Sequence, residues 1–347
     1  MELGIYSFAD RNLDPSLGDT PTVAQSLKNT LERIKLADEL GLGFYGVGEH
    51  HLEQYASSNP ATVLAAASSV TKNITLSTAV SVLSTEDPVR LYQQFTTIDQ
   101  LSGGRAELLA GRGSFVESFP LYGANLQNYD ELFDEKLDLL LTIDRGNPVN
   151  WQGKFRPPLT NAEIFPRPYN DHLSISVGTG GHPESSMRAG SLGLPVVYAI
   201  IGGQPERFAP LVDLYRRTAD ATGNASRAHV TMSAIGLISE NSQDAKETFY
   251  PYWHKVMEYG AMARGWSIPG RGEYDHYAAG ARDLFVGSPN EIAERLITVG
   301  RLTNADRYGM QMDWAGVPQA KVMKAIELLG TEIKPQVDAE LMAASVV

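Results

Sequence analysis

The sequence predicts an α/β fold of the (β/α)8 TIM-barrel type, built as one domain over residues 1–347, and three observations lead there. Strand-like and helix-like segments alternate from one end of the chain to the other, which implies a parallel sheet. Eight strand candidates can be counted, each followed by a helix, and 347 residues suit a barrel of this kind. The open doubly wound alternative needs a glycine fingerprint after its first strand, and residues 9–20 hold a single glycine.

The elements can be justified in order. Leu3–Phe8 is a strand, followed by a loop rich in Asp, Pro and Gly and a helix from Val23 to Leu40. Leu27, Leu31, Ile34 and Leu40 mark the apolar face of that helix, and Gly41 is its stop. Phe44–Val47 is the second strand, and an alanine-rich helix runs from Pro60 to Val70. Ile74–Leu83 is the third strand, with Pro88 in the first turn of a helix that continues over Val89–Leu101. Ala106–Ala110 is the fourth strand, separated by a polar excursion from the helix Tyr129–Ile143.

Five prolines between Arg145 and Asn170 describe an ordered surface insertion, not a linker between domains. Alternation then resumes with strand Leu173–Val177, helix Glu184–Leu192, strand Pro195–Ile200 and helix Pro205–Ala221. His229–Ile238 is the seventh strand and leads into helical material through Ala263, with Phe249, Tyr252, Trp253 and Val256 on one face. Residues 264–284 form a second insertion, rich in Gly, Arg and Tyr. Pro289–Val299 is helical, Tyr308–Trp314 is the last strand, and Ala320–Leu329 closes the pattern. Both insertions are expected at the C-terminal face of the barrel, where they would close its mouth.

Composition narrows the function. A net charge of −12 and a pI near 5.1, without clustered Lys or Arg, argue against nucleic-acid partners. Zero cysteines exclude disulfides, thiolate nucleophiles and Cys-based metal sites. The longest nearly apolar run, about 12 residues from Leu192, is too short to span a bilayer, which takes ~20. The N-terminus enters a strand at once and has no basic leader, so a cytoplasmic location is expected.

Barrel chemistry sits at strand C-termini. Gly48-Glu49-His50-His51 follows the second strand, and a neutral imidazole can accept and donate a proton near pH 7. Successive positions in extended chain face opposite ways, so His50 and His51 are poorly placed to share one ion; no metal site is expected. The third, fourth and fifth strand ends, Thr78-Ala79-Val80-Ser81, Gly111-Arg112-Gly113-Ser114 and Gly178-Thr179-Gly180-Gly181, are dominated by small residues. They suit a flat body lying close to backbone. Gly180 and Gly181 let N–H groups approach an oxyanion at the start of the next helix. Ser185 and Ser186 add hydroxyls there, and Arg112 can supply a bidentate cation. The same residues are also compatible with a plain glycine turn capped by serine. Tyr6, Phe8, Phe115 and Trp314 would give the mouth aromatic walls, or simply pack in the core.

Taken together these motifs resemble the bacterial-luciferase-like, flavin-dependent oxidoreductases. The resemblance is carried by Gly48-Glu49-His50-His51, by Leu76–Leu83 with Asp87-Pro88-Val89-Arg90, and by Asp99–Arg105 leading to Gly111-Arg112-Gly113. Gly193-Leu194-Pro195 and Gly287-Ser288-Pro289 extend it over nearly the whole chain. It implies a (β/α)8 barrel, usually dimeric, that binds FMN at its C-terminal face. Reduced FMN would come from a separate flavin reductase, and O2 would be used to oxygenate a small organic substrate. His50 matches the family's acid/base beside the flavin ring. Thr78, Ala79 and Val80 match the stretch under the ring, where a non-prolyl cis peptide is usual. Arg112 and Ser185 match phosphate contacts, with Gly180 and Gly181 in the turn before them. Gly181 stands where some members place an acid, and the reactive cysteine that some members carry near Gly111 has no counterpart. Two other readings stay open: a deazaflavin-dependent hydride-transfer enzyme, and a flavin-binding partner subunit without turnover.

Overall fold

The computed structural model describes residues 1–113, 115–200, 204–265, 267–281 and 284–344. Ser114, at the fourth strand end, and parts of the second insertion lie outside the described residues.

The chain begins with β1 (Glu2–Ser7), α1 (Val23–Glu39), β2 (Phe44–Val47) and α2 (Pro60–Ser68). Helix starts are set by local chemistry: the side chains of Thr22 and Asn59 accept backbone hydrogen bonds at the starts of α1 and α2. Gly41, with φ +69°, ends the first as its sequence position indicates. The third strand is broken: β3 (Thr75–Thr78) and β4 (Ser81–Val82) flank a cis peptide between Ala79 and Val80. Then come α3 (Pro88–Ser102), capped by Asp87, β5 (Glu107–Gly111), the short α4 (Ser118–Leu121) and α5 (Tyr129–Arg145). An antiparallel pair, β6 (Val149–Trp151) and β7 (Leu159–Ala162), precedes β8 (Ser174–Thr179), α6 (Pro183–Leu192), β9 (Val196–Ala199), α7 (Ala209–Ala221) and β10 (Val230–Ile238). The chain ends with α8 (Ser242–Arg264), α9 (Arg271–His276), β11 (Leu284–Gly287), α10 (Pro289–Thr303), β12 (Arg307–Gln311), α11 (Gln319–Leu328) and α12 (Lys334–Ala344).

The strands form a parallel sheet in the order β3-β2-β1-β12-β10-β9-β8-β5-β4. A parallel bridge from Leu76 to Ala106 brings β3 against the start of β5 and closes the barrel. The Thr78 hydroxyl donates to Leu109 O at 2.9 Å and accepts from Leu109 N at 3.0 Å, filling the ladder where β3 and β5 lack backbone pairing. Strand β11 pairs with the upper half of β10 and stands off this path. It was not expected from the sequence, nor were α4 and α12.

Inside the barrel, Tyr6, Phe44, Leu109 and Val197 form a separate apolar cluster. Glycines make room for it. A Cβ on Gly46 would lie 2.4 Å from the Tyr6 ring, and one on Gly309 2.5 Å from its other edge. Below this layer, at the strand N-termini, Arg307 pairs with Glu107 at 2.7 Å and also with Glu2, while Ser77 donates to Glu107 at 2.9 Å.

The two insertions differ in placement. Residues 146–170 climb the outside of α3 and α5: Lys154 pairs with Glu131, Arg156 with Asp87, and Gln93 and Gln100 donate to the carbonyls of Phe165 and Arg167. This segment follows α5, which returns the chain to the strand N-termini, so it braces the wall. The expected closure of the mouth by residues 145–170 is therefore corrected. The second insertion follows helix α8, which lies where the sequence placed helical material through Ala263. Helix α8 reaches the loop after β1, where Lys255 pairs with Asp14 and Tyr252 donates to Leu17 O. Helix α9 folds back on it through Arg271–Glu247. Among the described residues, no helix is long and apolar enough to cross a membrane.

Candidate active site

A cavity opens at the C-terminal end of the barrel. It is walled by Tyr6 and Phe8 from the end of β1, Ala79 and Val80 at the cis peptide, and Leu109, Gly178, Val197, Ala199 and Ile200 around one side. Ser233, Ala234, Ile235 and Gln311 complete it. Gly111 leaves the space that Val80 fills, since a Cβ there would come within 2.4 Å of the valine side chain. These walls are mostly carbon, so they suit a flat, largely uncharged body.

His50 stands beside this cavity in an aromatic cage. Its ring stacks on Tyr55 at 4.2 Å and meets Phe8 and Phe115 edge-on, each at 4.7 Å. His50 Nδ1 lies 3.0 Å from Glu117 Oε1. Burial pushes the Glu117 carboxyl up, but the hydrogen bonds from His50 and from backbone, with the imidazole's charge, outweigh it and hold the group below the usual glutamate range. A carboxylate bound to Nδ1 orients the ring and leaves Nε2 as the proton-exchanging nitrogen.

His51 turns the other way. Its Nε2 lies 3.0 Å from Glu49, and that hydrogen bond raises the imidazole against the opposing effect of burial. The second Glu49 oxygen accepts from Val82 N at 2.8 Å, tying the end of β2 to the piece that follows the cis peptide. The two histidines thus have different partners. Among the described residues, no group of three or more His, Asp or Glu side chains is arranged to hold a metal ion.

The rim across β5 and β8 gathers the expected anion-binding residues. Arg112 donates to Ser185 Oγ at 3.0 Å and to Asp130 at 2.6 Å, with its guanidinium beside the Tyr129 and Phe133 rings. Ser185 lies in the first turn of α6, whose N-terminus has no side-chain cap; the N–H groups of Ser185 and Ser186 donate to His182 O, so the polar group Ser185 turns to the rim is its hydroxyl. Gly181 has φ +101°, and a Cβ on Gly180 would meet nothing within 4 Å, which leaves the turn open to close approach.

A buried ionic network backs the site. Asp313 accepts from Ser7 at 2.5 Å and from Arg33 at 2.8 Å. Asp10 accepts from Ala315 N at 2.8 Å, and burial followed by the charge of Asp313 pushes its carboxyl well above the ordinary range. The remaining oxygen on each, Asp10 Oδ1 and Asp313 Oδ1, is buried without a hydrogen-bond partner.

Ala79 and Val80 line the cavity, His50 flanks it, and Arg112, Ser185, Gly180 and Gly181 gather at one rim. Thr78 does not face the mouth, because its hydroxyl serves β3 and β5. Tyr6 and Phe8 are cavity walls; Trp314 belongs to the main core instead. Glu117 was missed because it lies among Phe115, Val116 and Phe119 with no periodic signal to mark it.

A parallel barrel thus carries at its strand C-termini an apolar mouth, a carboxylate-bound histidine and, at one rim, the Arg112–Ser185 pair. The family model for luciferase-like monooxygenases matches residues 1–305, and the chain belongs to that family of flavin-dependent enzymes. It is 30% identical over 199 residues to the N-acetyl-S-alkylcysteine monooxygenase of Bacillus subtilis (strain 168), covering 56% of this chain and 58% of the relative. It is 26% identical over 212 residues to the alkanal monooxygenase alpha chain of a Kryptophanaron alfredi symbiont, covering 59% and 58%. The match thus spans under two thirds of either relative's length. Among solved structures, the monooxygenase RslO1 of Streptomyces bottropensis superposes with a TM-score of 0.85 at 22% identity, over 96% of this chain and 99% of that one. The oxygenating constituent of 3,6-diketocamphane monooxygenase from Pseudomonas putida, in complex with FMN, gives 0.77 at 19%, over 97% and 98%. A coenzyme F420 dependent tetrahydromethanopterin reductase of Methanopyrus kandleri gives 0.73 at 17%, over 97% and 99%. At these identities the structural likeness shows the shared fold.

Proposed function

We propose that this protein is the oxygenating component of an FMN-dependent, two-component monooxygenase that acts on a small organic substrate. The carrying observation is the joint placement of Arg112 and Ser185, 3.0 Å apart at an uncapped helix start, beside a carbon-walled cavity flanked by His50. Arg112, Ser185 and the Gly180-Gly181 turn would hold the phosphate, and Ala79 and Val80 would carry the ring. Bound in reduced form, the flavin supplies two electrons, so that one atom of O2 enters the substrate and the other leaves as water.

The chain's own residues do the rest. His50 Nε2 exchanges a proton with the reacting groups while Glu117 holds Nδ1. The apolar walls exclude water from the reacting atoms. No glycine fingerprint follows the first strand, and a separate reductase would deliver reduced FMN. A homodimer and a cytoplasmic location belong to the same proposal.

Anaerobic titration with FMN and reduced FMN, followed by 18O2 and a panel of aldehydes, ketones and thioethers, tests this reading. Binding of reduced FMN with one labelled oxygen in a product supports it, and failure to bind either flavin form overturns it. A parallel titration with a deazaflavin tests the hydride-transfer alternative, which the reductase-like fold neighbour keeps in view. The His50–Glu117 pairing speaks against a silent partner subunit, which has no use for an oriented acid/base.

A further inference from the structure

Gln311 closes β12 at the floor of the mouth cavity. The residue is 6% exposed, yet its Nε2 has no hydrogen-bond partner. An unpaired buried donor is costly, and such groups in native structures call for a reason. Among the described residues of the lining, no acceptor reaches it. Ser233 Oγ sits 3.4 Å from Tyr198 O, and the Tyr6 hydroxyl lies in the field of Glu107 and Arg307 at the base. The other lining side chains are carbon only.

Register places Gln311 beside Tyr6 on β1 and Ile235 on β10, both lining the same cavity. Around the closed barrel, β12 is the eighth position and β5 the fourth, so Gln311 stands across the mouth from Arg112. A ligand anchored at the Arg112 rim presents its far end, or the molecule bound beyond it, to this amide.

We propose that Gln311 is a specificity residue whose amide donates to an uncharged carbonyl oxygen at the cavity floor. The inference rests on the flavin-monooxygenase reading and adds the chemical class of the group recognised. The acceptor is uncharged because no cation lines the cavity among the described residues, and an anion among apolar walls would lose its hydration uncompensated. The carbonyl has two sources, the pyrimidine end of the flavin or a ketone or aldehyde substrate, and the experiment separates them.

The test uses Gln311→Leu and Gln311→Met, both lacking the donor at similar volume. Retained melting temperatures of the free variants show that they fold. Affinities for FMN and reduced FMN are then measured by flavin fluorescence and absorbance. Anaerobic binding of cyclohexanone and methylenecyclohexane, which differ by C=O against C=CH2, is read by thermal shift on the flavin-loaded protein. For a substrate carbonyl, wild type prefers the ketone, and both variants lose about tenfold of that preference with FMN affinity unchanged. For a flavin carbonyl, FMN affinity itself falls about tenfold in both variants. Variants within twofold of wild type in both measurements overturn the proposal. Wild type that binds neither flavin form overturns the parent reading first, and this inference with it.

Discussion

His50 Nδ1 and Glu117 Oε1 meet at 3.0 Å although the residues are 67 positions apart and follow different barrel strands. The pairing gives the imidazole one orientation among three aromatic rings. His50→Ala should leave FMN binding intact and lower turnover by roughly 10²- to 10⁴-fold, the usual range for losing a general acid/base. Stopped-flow turnover beside a flavin titration checks this. Unchanged turnover would remove His50 from the chemistry.

Glu117 also carries a pH signature. Its folded carboxyl titrates below the usual value, so the native state binds its proton less tightly than the unfolded chain. That stabilisation is present above the usual glutamate value and is lost as pH falls through the folded one. Glu117→Gln should therefore lower the melting temperature near pH 7 and converge with wild type near pH 3. A gap that stays constant across this range would show that the carboxylate's charge contributes nothing.

Arg112→Ala should weaken FMN by roughly 10- to 100-fold, as expected for losing charged hydrogen bonds. Riboflavin, which lacks the phosphate, should bind equally to both proteins. Ser185→Ala should act in the same direction with a smaller effect. Equal weakening of riboflavin and FMN would place Arg112 away from the phosphate.

At Asp10 the sign is reversed. Its raised carboxyl binds the proton more tightly when folded, so stability drops as pH climbs from the ordinary aspartate value toward the folded one. Asp10→Asn keeps an acceptor for Ala315 N and adds an amide donor where Asp313 has a bare oxygen. Urea unfolding from pH 4.5 to 8 should show the variant gaining on wild type as pH rises. A variant weaker than wild type at pH 8 would mean that the Asp10 charge is compensated.

Gly111→Ala should distort the Ala79-Val80 segment, because its methyl would come within 2.4 Å of Val80. Overpacking of this kind costs about 1–3 kcal/mol, and FMN affinity should fall with it. Chemical denaturation and a flavin titration on the same variant report the two effects. Full stability with full affinity would show that Val80 is free to move.

The barrel was legible because parallel strands buried on both faces read as short apolar runs bounded by turn residues. Phe44–Val47 needed no more than that, and His50 followed from its place after the strand. Other features lack a local code. Ile74–Leu83 reads as one strand, yet it breaks at Ala79-Val80, where nothing in side-chain pattern distinguishes a cis from a trans bond. Leu284–Gly287 is an apolar run as long as Phe44–Val47, but it directly follows a Gly/Arg/Tyr-rich stretch of sequence that obscures its start. Glu117 becomes a partner of His50 only after the barrel closes, and no spacing rule spans that distance. The prolines of residues 145–170 announced irregular chain, but which side of the barrel they occupy depends on the direction of α5.

The ionic layer of Glu2, Arg307 and Glu107 under the Tyr6–Phe44 rings has a consequence for traffic. With the strand N-terminal end filled, the cavity among the described residues opens at the strand C-terminal end. Cofactor, oxygen, substrate and product would all pass the same threshold beside Phe8 and His50, so they queue. On the proposed function, a bulky occupant of the mouth would have to be seated after anything bound at the floor beneath it, or admit it past its own edge.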